Sequence, residues 1–413
     1  MRPLRCPRPV RTLLPGLLAG LLVGGLPGLG PAAPAVAAGR WPPPREISYT
    51  EWQPGLALDG ASVRHRRYDG RQYDVARWVG PWVSPGFGPT QLVASWSART
   101  PGDSWIEVRV RGRAADGTRS SWDVLGRWTS GDRFTRRTSV SGQADDLASV
   151  DTDTWQVHAD SGLTSYRLDV RVMRRSGAHT RSPVVSTIGA MASRVPSGTV
   201  PTSAPGRASR AGIVLDVPRY SQMAHRGHYP AWGGGGEAWC SPTSTSMVLG
   251  YYGDLPRPRS YDWIPAGHTD PWVDEAARST YDAAYQGTGN WPFNAAFAAP
   301  LAGHAFVTRL RSLHEAERFI AVGIPLVASI SFGAGQLSNA PISSTNGHLV
   351  VIRGFTTAGD VVVNDPAAGH RRGVRRTYDR AQFEDAWLAR SGGLVYVIRD
   401  DAHPLPGGHH SNW

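Results

Sequence analysis

A chain of 413 residues with a formal net charge of +11 is long enough for two domains of ordinary size. Its arginines are scattered among acids, which excludes a dedicated nucleic-acid groove and leaves acidic polymers of a cell envelope as the anions such a surface suits. Glycine and proline, 48 and 33 residues, make up about a fifth of the chain, below the level that signals general disorder.

The first element is an export signal. Arg2, Arg5, Arg8 and Arg11 precede an apolar stretch from Leu13 to Leu29, and Ala35-Val36-Ala37 supplies a small-residue cleavage site, so residues 1–37 read as a signal peptide. Pro15, Gly16, Gly20, Gly24, Gly25 and Pro27 interrupt that stretch, whereas a membrane span needs about 20 mostly apolar residues. Cleavage, secretion and no membrane span in the mature chain are therefore expected. Cleavage removes four arginines and no acid, lowering the charge to +7, and takes Cys6 with it, so Cys240 is left as the only thiol of a chain with two cysteines. In an oxidising compartment a lone thiol is inert, paired with another molecule, or reactive.

Residues 38–47 are Pro-rich and read as a flexible lead-in. From 48 to 193 the pattern is of strands: Ile106, Val108 and Val110 alternate with Glu107, Arg109 and Arg111, and Tyr166 to Val172 repeats the arrangement. Turn signals such as Pro101-Gly102-Asp103 and Ala115-Asp116-Gly117 separate the runs at spacings typical of an antiparallel sandwich. An all-β, sandwich-like domain is expected. With the lead-in it holds nine of the 16 tryptophans, from Trp41 to Trp155; exposed ones would stack on sugar rings, but tryptophan in such a domain more often fills the core. Residues 194–212, including VPSGTVPTSAPGRASRA, read as a linker.

The second domain, 213–413, carries the chemistry. Gly233 to Gly236 lack the Lys-Ser/Thr ending and preceding strand of a phosphate loop, and a mobile loop is expected there. Pro242 suits the first turn of a helix and Gly253 its end, so Cys240 falls at the helix start. Free backbone N–H groups and the helix dipole stabilise a thiolate at that position. A nucleophile needs a base and a group that orients the base. His348 opens the strand-like Gly347 to Phe355, and Val361 to Asn364 follows a turn at 356–359. With the turn centred near Thr357 and Ala358, Asp365 pairs opposite Val350, so His348 and Asp365 become diagonal neighbours on one face of a β-hairpin. Gln222 is the candidate side-chain donor for an oxyanion.

These residues resemble the peptidase C39-like proteins, bacterial relatives of the double-glycine peptidases in the papain-like superfamily. The likeness rests on Val217-Pro218-x-Tyr220-Ser221-Gln222, Trp239-Cys240-Ser241-Pro242-Thr243-Ser244 leading into Tyr251-Tyr252-Gly253, Gly347-His348-Leu349-Val350-Val351 and Val363-Asn364-Asp365-Pro366, with Tyr378, Phe383, Trp387 and the closing strand Gly393 to Ile398. It spans residues 213 to 400. It implies an α+β papain-like domain with Cys240, His348 and Asp365 as triad, Gln222 in the oxyanion hole, and a peptide or protein substrate. Ser241 stands where many members have glycine, and no transporter segment follows.

No cofactor and no metal are expected: His225 and His228 lie close together and His409-His410 near the end, but no further ligands at metal-site spacing accompany them. The expected function is that of a secreted, extracellular cysteine peptidase or amide hydrolase. A cell-wall (peptidoglycan) amidase or endopeptidase, a surface- or glycan-binding protein with an inactive peptidase-like domain, and a transferase or cross-linking enzyme remain as alternatives, with a cell-envelope polymer as a further candidate partner.

Overall fold

Period-two alternation makes strands because successive side chains point to opposite faces of a sheet, and the first half of this chain is built that way. The structure is a computed structural model that describes residues 44–58 and 63–413; the expected signal peptide and most of the lead-in lie outside them. Strands β1 (Glu46–Trp52), β2 (Leu56–Ala57), β3 (Arg64–Tyr68), β4 (Arg71–Val79), β5 (Gln91–Arg99), β6 (Ser104–Arg113), β7 (Asp123–Trp128), β8 (Ala148–Asp151), β9 (Thr154–Val157), β10 (Ser165–Arg175) and β11 (Val184–Arg194) form two antiparallel sheets. The first runs β1-β11-β5-β9-β8 with β2 beside β11, and the second β3-β4-β10-β6-β7. Ile106, Val108 and Val110 of β6 and Leu168, Val170 and Val172 of β10 meet Leu92, Ala94 and Trp96 of β5 in one buried cluster. Each such side chain contributes about 1.5–3 kcal/mol on burial. Trp96, Trp128 and Trp155 join this cluster, as tryptophan in such a domain usually does, whereas Trp105 is buried with Tyr73, Val75 and Met173 in a small cluster on the other face of the second sheet.

The C-terminal part sets helices against a third antiparallel sheet. In chain order come α1 (Arg207–Ala211), α2 (Cys240–Tyr252), α3 (Pro271–Thr280), α4 (Trp291–Ala302), β12 (His304–Arg309), α5 (Leu313–Ala321), β13 (Leu326–Phe332), β14 (Thr345–Phe355), β15 (Val361–Asn364), β16 (Arg375–Tyr378), α6 (Arg380–Glu384) and β17 (Leu394–Arg399). The sheet order is β12-β17-β13-β14-β15-β16. No helix among the described residues is long and apolar enough to cross a membrane.

The two parts share their interior. Ile47, Val93 and Met191 point away from the first core and join Val248 of α2, Ala295 and Ala298 of α4, and Leu349 and Tyr396 of the third sheet in a second buried cluster. The first sheet thus has apolar side chains buried on both faces. Phe293 of α4 also reaches the first core, with its ring 5.4 Å from Trp128 and 6.1 Å from Trp96.

The stretch between the two parts is fastened along its length. Ser203 donates to Glu384 through its N–H (2.7 Å) and hydroxyl (2.6 Å). Gly206 N–H, Ser209 N–H and Ser209 Oγ donate to Glu317 (2.9, 2.9 and 2.7 Å), which also meets Arg380 at 3.0 Å. Proline and serine mark a non-repetitive backbone, but the carboxylates that hold it lie more than 100 residues downstream. Glu317 is 1 % exposed, and removing one partner of a buried ion pair costs about 3–5 kcal/mol. Glu317→Ala is therefore expected to lower the unfolding free energy read from urea titration by about that amount, whereas a loosely tethered linker would leave it unchanged.

Candidate active site

Cys240 is the first residue of α2, whose N-cap Trp239 offers no side-chain acceptor, and Gly253 ends the helix in the left-handed region at φ 79°. Trp239 is buried and donates its indole N–H to the Trp232 carbonyl at 2.8 Å, which fixes the approach to the cysteine. Every residue from Ser241 to Leu249 is buried. The helix is thus packed all round, beyond the apolar face that Met247, Val248 and Tyr251 suggest. Two of its hydroxyls find partners on the third sheet: Ser241 Oγ lies 2.9 Å from Tyr396 Oη, and Ser244 Oγ donates to the Leu349 carbonyl at 3.0 Å. The second bond ties the helix to the residue after His348.

His348 sits on β14, paired with Ile330 of β13. Strands β14 and β15 register Val351 against Asn364, with a bulge between Ile352 and Gly354. Continued one step, that register sets Val350 across from Asp365. The bulge needs Gly354: a Cβ there would lie 2.4 Å from the Ile213 carbonyl oxygen. His348 Nε2 and Asp365 Oδ1 are 2.8 Å apart, both buried. Asp365 also accepts from Tyr378 Oη (2.7 Å) and Ala367 N–H (2.9 Å), so both of its oxygens are held by donors.

Burial works against a charge on His348, but the Asp365 carboxylate and the neighbouring Cys240 more than offset it and push the ring up to about 10. Burial also disfavours the charged Asp365, yet His348 and the Tyr378 hydroxyl hold it below the usual carboxylate range. An imidazolium and a carboxylate, each stabilised by the other, form a preset pair beside the thiol.

Gln222 is brought in through the backbone. Its N–H donates to the Pro366 carbonyl at 2.9 Å, and Ser221 Oγ donates to the Ala368 carbonyl at 2.5 Å, which stitches this segment to the turn after Asp365. Gln222 Nε2 donates to the Glu237 carbonyl at 2.5 Å, on the short turn that leads into Cys240, and Oε1 has no partner.

Cys240 is half-buried and opens on a cleft of about 790 Å³. One wall comes from the C-terminal part, with Tyr285, Thr288 and Gly347, and the other from the β8 to β9 hairpin, with Asp151 and Asp153. Asp153 is buried, which pushes its carboxyl up to about 7 although it accepts the Trp291 N–H.

Some features were beyond sequence reading. Tyr378 follows Asp365 by 13 residues with no spacing rule to link them. Asp274, on α3, joins His225 and His228: His225 Nδ1 lies 2.9 Å from Asp274 Oδ2 and His228 Nδ1 2.8 Å from Oδ1. These three ligand-type groups lie within 4.8 Å of one another, where the sequence supplied only the histidine pair. Each carboxylate oxygen is already hydrogen-bonded to an imidazole, and a cation would have to displace both bonds. The glycine run is a turn of set geometry: Gly233, Gly234 and Gly235 have φ of 71°, 98° and 98°, and a Cβ on Gly236 would lie 2.0 Å from the His225 carbonyl oxygen.

Residues 214–395 match the Peptidase_C39 like family and residues 45–193 match the Peptidase C39 N-terminal domain. The C-terminal part is thus a C39-like domain, and the match suggests a cysteine peptidase. No curated protein matches the chain. Among solved structures, that of infectious bursal disease virus Gt strain is 11 % identical with a TM-score of 0.21, covering 40 % of this chain and 36 % of that one. The N-terminal modules of Clostridium thermocellum endo-1,4-beta-D-xylanase 10B, complexed with xylohexaose, are 9 % identical with a TM-score of 0.17, covering 41 % of this chain and 30 % of that one.

Proposed function

We propose that this chain is a secreted cysteine peptidase in which Cys240 attacks the substrate carbonyl, His348 transfers protons, Asp365 orients His348, and Gln222 with the Cys240 N–H holds the oxyanion. The observation that carries this reading is the doubly engaged His348. One edge of its ring is bonded to a buried carboxylate, and it interacts with the thiol at the start of a helix, in the wall of a cleft.

The steps follow from that arrangement. The Cys240 sulfur forms a bond to the carbonyl carbon, and negative charge moves to oxygen, where backbone and side-chain amides stabilise it. His348 gives its proton to the amine nitrogen, the C–N bond breaks, and an acyl-enzyme remains. Neutral His348 then takes a proton from water, whose oxygen attacks the acyl carbon; the C–S bond breaks, the acid leaves and the ion pair is restored. Asp365 holds the ring through Nε2, which leaves Nδ1 for this traffic. A helix that begins at the cysteine and a strand that carries the histidine support a papain-like arrangement, and two sheets sharing a core support a sandwich-like N-terminal domain. Secretion rests on residues 1–37 alone.

The test is alkylation of Cys240 by iodoacetamide across pH, in the wild type and in His348→Ala. Near neutral pH the wild type should react faster than His348→Ala, because the imidazolium favours the reactive thiolate. Identical profiles for the two would sink the ion-pair mechanism.

A further inference from the structure

The outer face of the second sheet carries charge that the peptidase chemistry does not use. On β6 the outward residues are Glu107, Arg109, Arg111 and Arg113, and on β10 they are Arg167, Asp169 and Arg171, because the alternate residues fill the core. At one end the charges balance. Arg77 and Arg109 pair with Asp169, and Arg127 and Arg171 approach Glu107 at 3.1 and 3.5 Å.

At the other end they do not. Arg111 stands directly opposite Arg167, and Arg113 faces Arg119 across an isolated bridge. Like charges directly opposite each other destabilise a sheet, and among the described residues none of these four arginines has a carboxylate within ion-pair distance. Burial and then the nearby Arg77, Arg111 and Arg119 weaken the hold of Arg167 on its proton, as expected of cations crowded without counter-charge.

Two tryptophans hold the arginines in place. Arg113, Arg167 and Arg119 lie over Trp82 at 4.2, 5.3 and 5.9 Å, and Arg111 and Arg109 over Trp122 at 4.8 and 5.3 Å. With arginines stacked on them, these rings are poor platforms for a sugar or a base; Arg167 gives one edge of its guanidinium to the Gly80 carbonyl (3.1 and 2.9 Å), and the patch presents its remaining nitrogen beside the guanidinium groups of Arg111, Arg113 and Arg119. Guanidinium forks match phosphate oxygens two at a time, and four of them set one cross-strand step apart suit an anion repeated at short intervals. We propose that this end of the sheet, formed by Arg111, Arg113, Arg119 and Arg167, is a binding site for a phosphate-chain polymer. The C-terminal part packs on the far side of the first sheet, so an occupied site leaves the Cys240 cleft free.

The probe is long-chain inorganic polyphosphate, with binding to the purified protein measured at 50 and 200 mM salt, values chosen within the range over which such contacts are strongly screened. Wild type should bind with a steep salt dependence. The triple variant Arg111→Ser/Arg113→Ser/Arg167→Ser should bind about 100-fold more weakly, at roughly fivefold per guanidinium lost from an anionic surface. Arg119→Ser, an exposed change, should lose about fivefold on the same basis and provides a readout if the triple variant does not fold. The control Arg64→Ser/Arg66→Ser/Arg67→Ser removes equal charge from β3 and should leave binding nearly unchanged. An equal loss in that control, or polyglutamate of matched length binding as tightly as polyphosphate, would overturn the proposal.

Discussion

Cys240→Ala is expected to lower kcat by about 10⁴–10⁶, because groups that act as one catalytic unit fail together when the nucleophile is lost. The fold should survive: Cys240 is half-buried at the first position of α2, and the bonds that anchor this helix belong to Ser241, Ser244 and Trp239. A variant with unchanged urea midpoint and unchanged kcat would remove Cys240 from the chemistry. The pH dependence gives a second readout. His348, pushed up to about 10, stays protonated through neutral pH, so turnover should fall as pH rises through that value. The same shift acts on stability. An unfolded histidine titrates near about 6.5, so the contribution of His348 is present in full below that pH and is lost as pH rises through about 10. Urea midpoints from pH 6 to 11 should follow that decline, and His348→Ala should flatten it.

The second large effect belongs to Asp365. Asp365→Asn preserves shape but removes the charge that holds an imidazolium, and a loss of about 10³–10⁴ in kcat with little change in KM is expected, by the logic of an orienting carboxylate in a catalytic triad. Most of the alkaline decline in stability should be lost as well, since the Asp365 carboxylate is the larger of the two groups that offset burial at His348. Tyr378→Phe is the control. It removes one hydrogen bond to a charged acceptor, worth about 1.5–3 kcal/mol, leaves the charge in place and should cost at most about 100-fold in kcat. A Tyr378→Phe loss as large as that of Asp365→Asn would mean that the hydroxyl, not the carboxylate charge, governs the ring.

How much of this was legible follows the range of the interactions. The hairpin from Gly347 to Asp365 is local, but its turn sets Phe355 against Val361 and Gly354 against Val362, one residue off the expected register, and the bulge between Ile352 and Gly354 shifts the pairing back so that Val350 comes opposite Asp365. The helix start at Cys240 was readable from Pro242 and Gly253 for the same reason. Contacts that depend on how distant elements pack were not. Tyr378 reaches Asp365 from a neighbouring strand, Asp274 reaches two histidines from α3, and Asp151 reaches the cleft from the other half of the chain. The hydroxyl-rich run Thr243 to Ser246 did carry a signal, since such residues are poor helix formers in isolation. Their use inside a helix marks one packed closely on all sides. The stretch around 203–209 shows the opposite case: its composition reported the irregular backbone up to Gly206 and said nothing of helix α1, Glu317 or Glu384.

The first sheet, apolar on both sides, has an implication for how such a protein is inherited. A sheet with one wet face is a portable module that can be cut out and joined to another enzyme. Here Ile47, Val93 and Met191 sit in an interior to which both halves of the chain contribute. Excision would expose that surface, and recombination would have to supply a partner of matching shape. The β-rich half and the C39-like half are therefore expected to travel through evolution as a single unit.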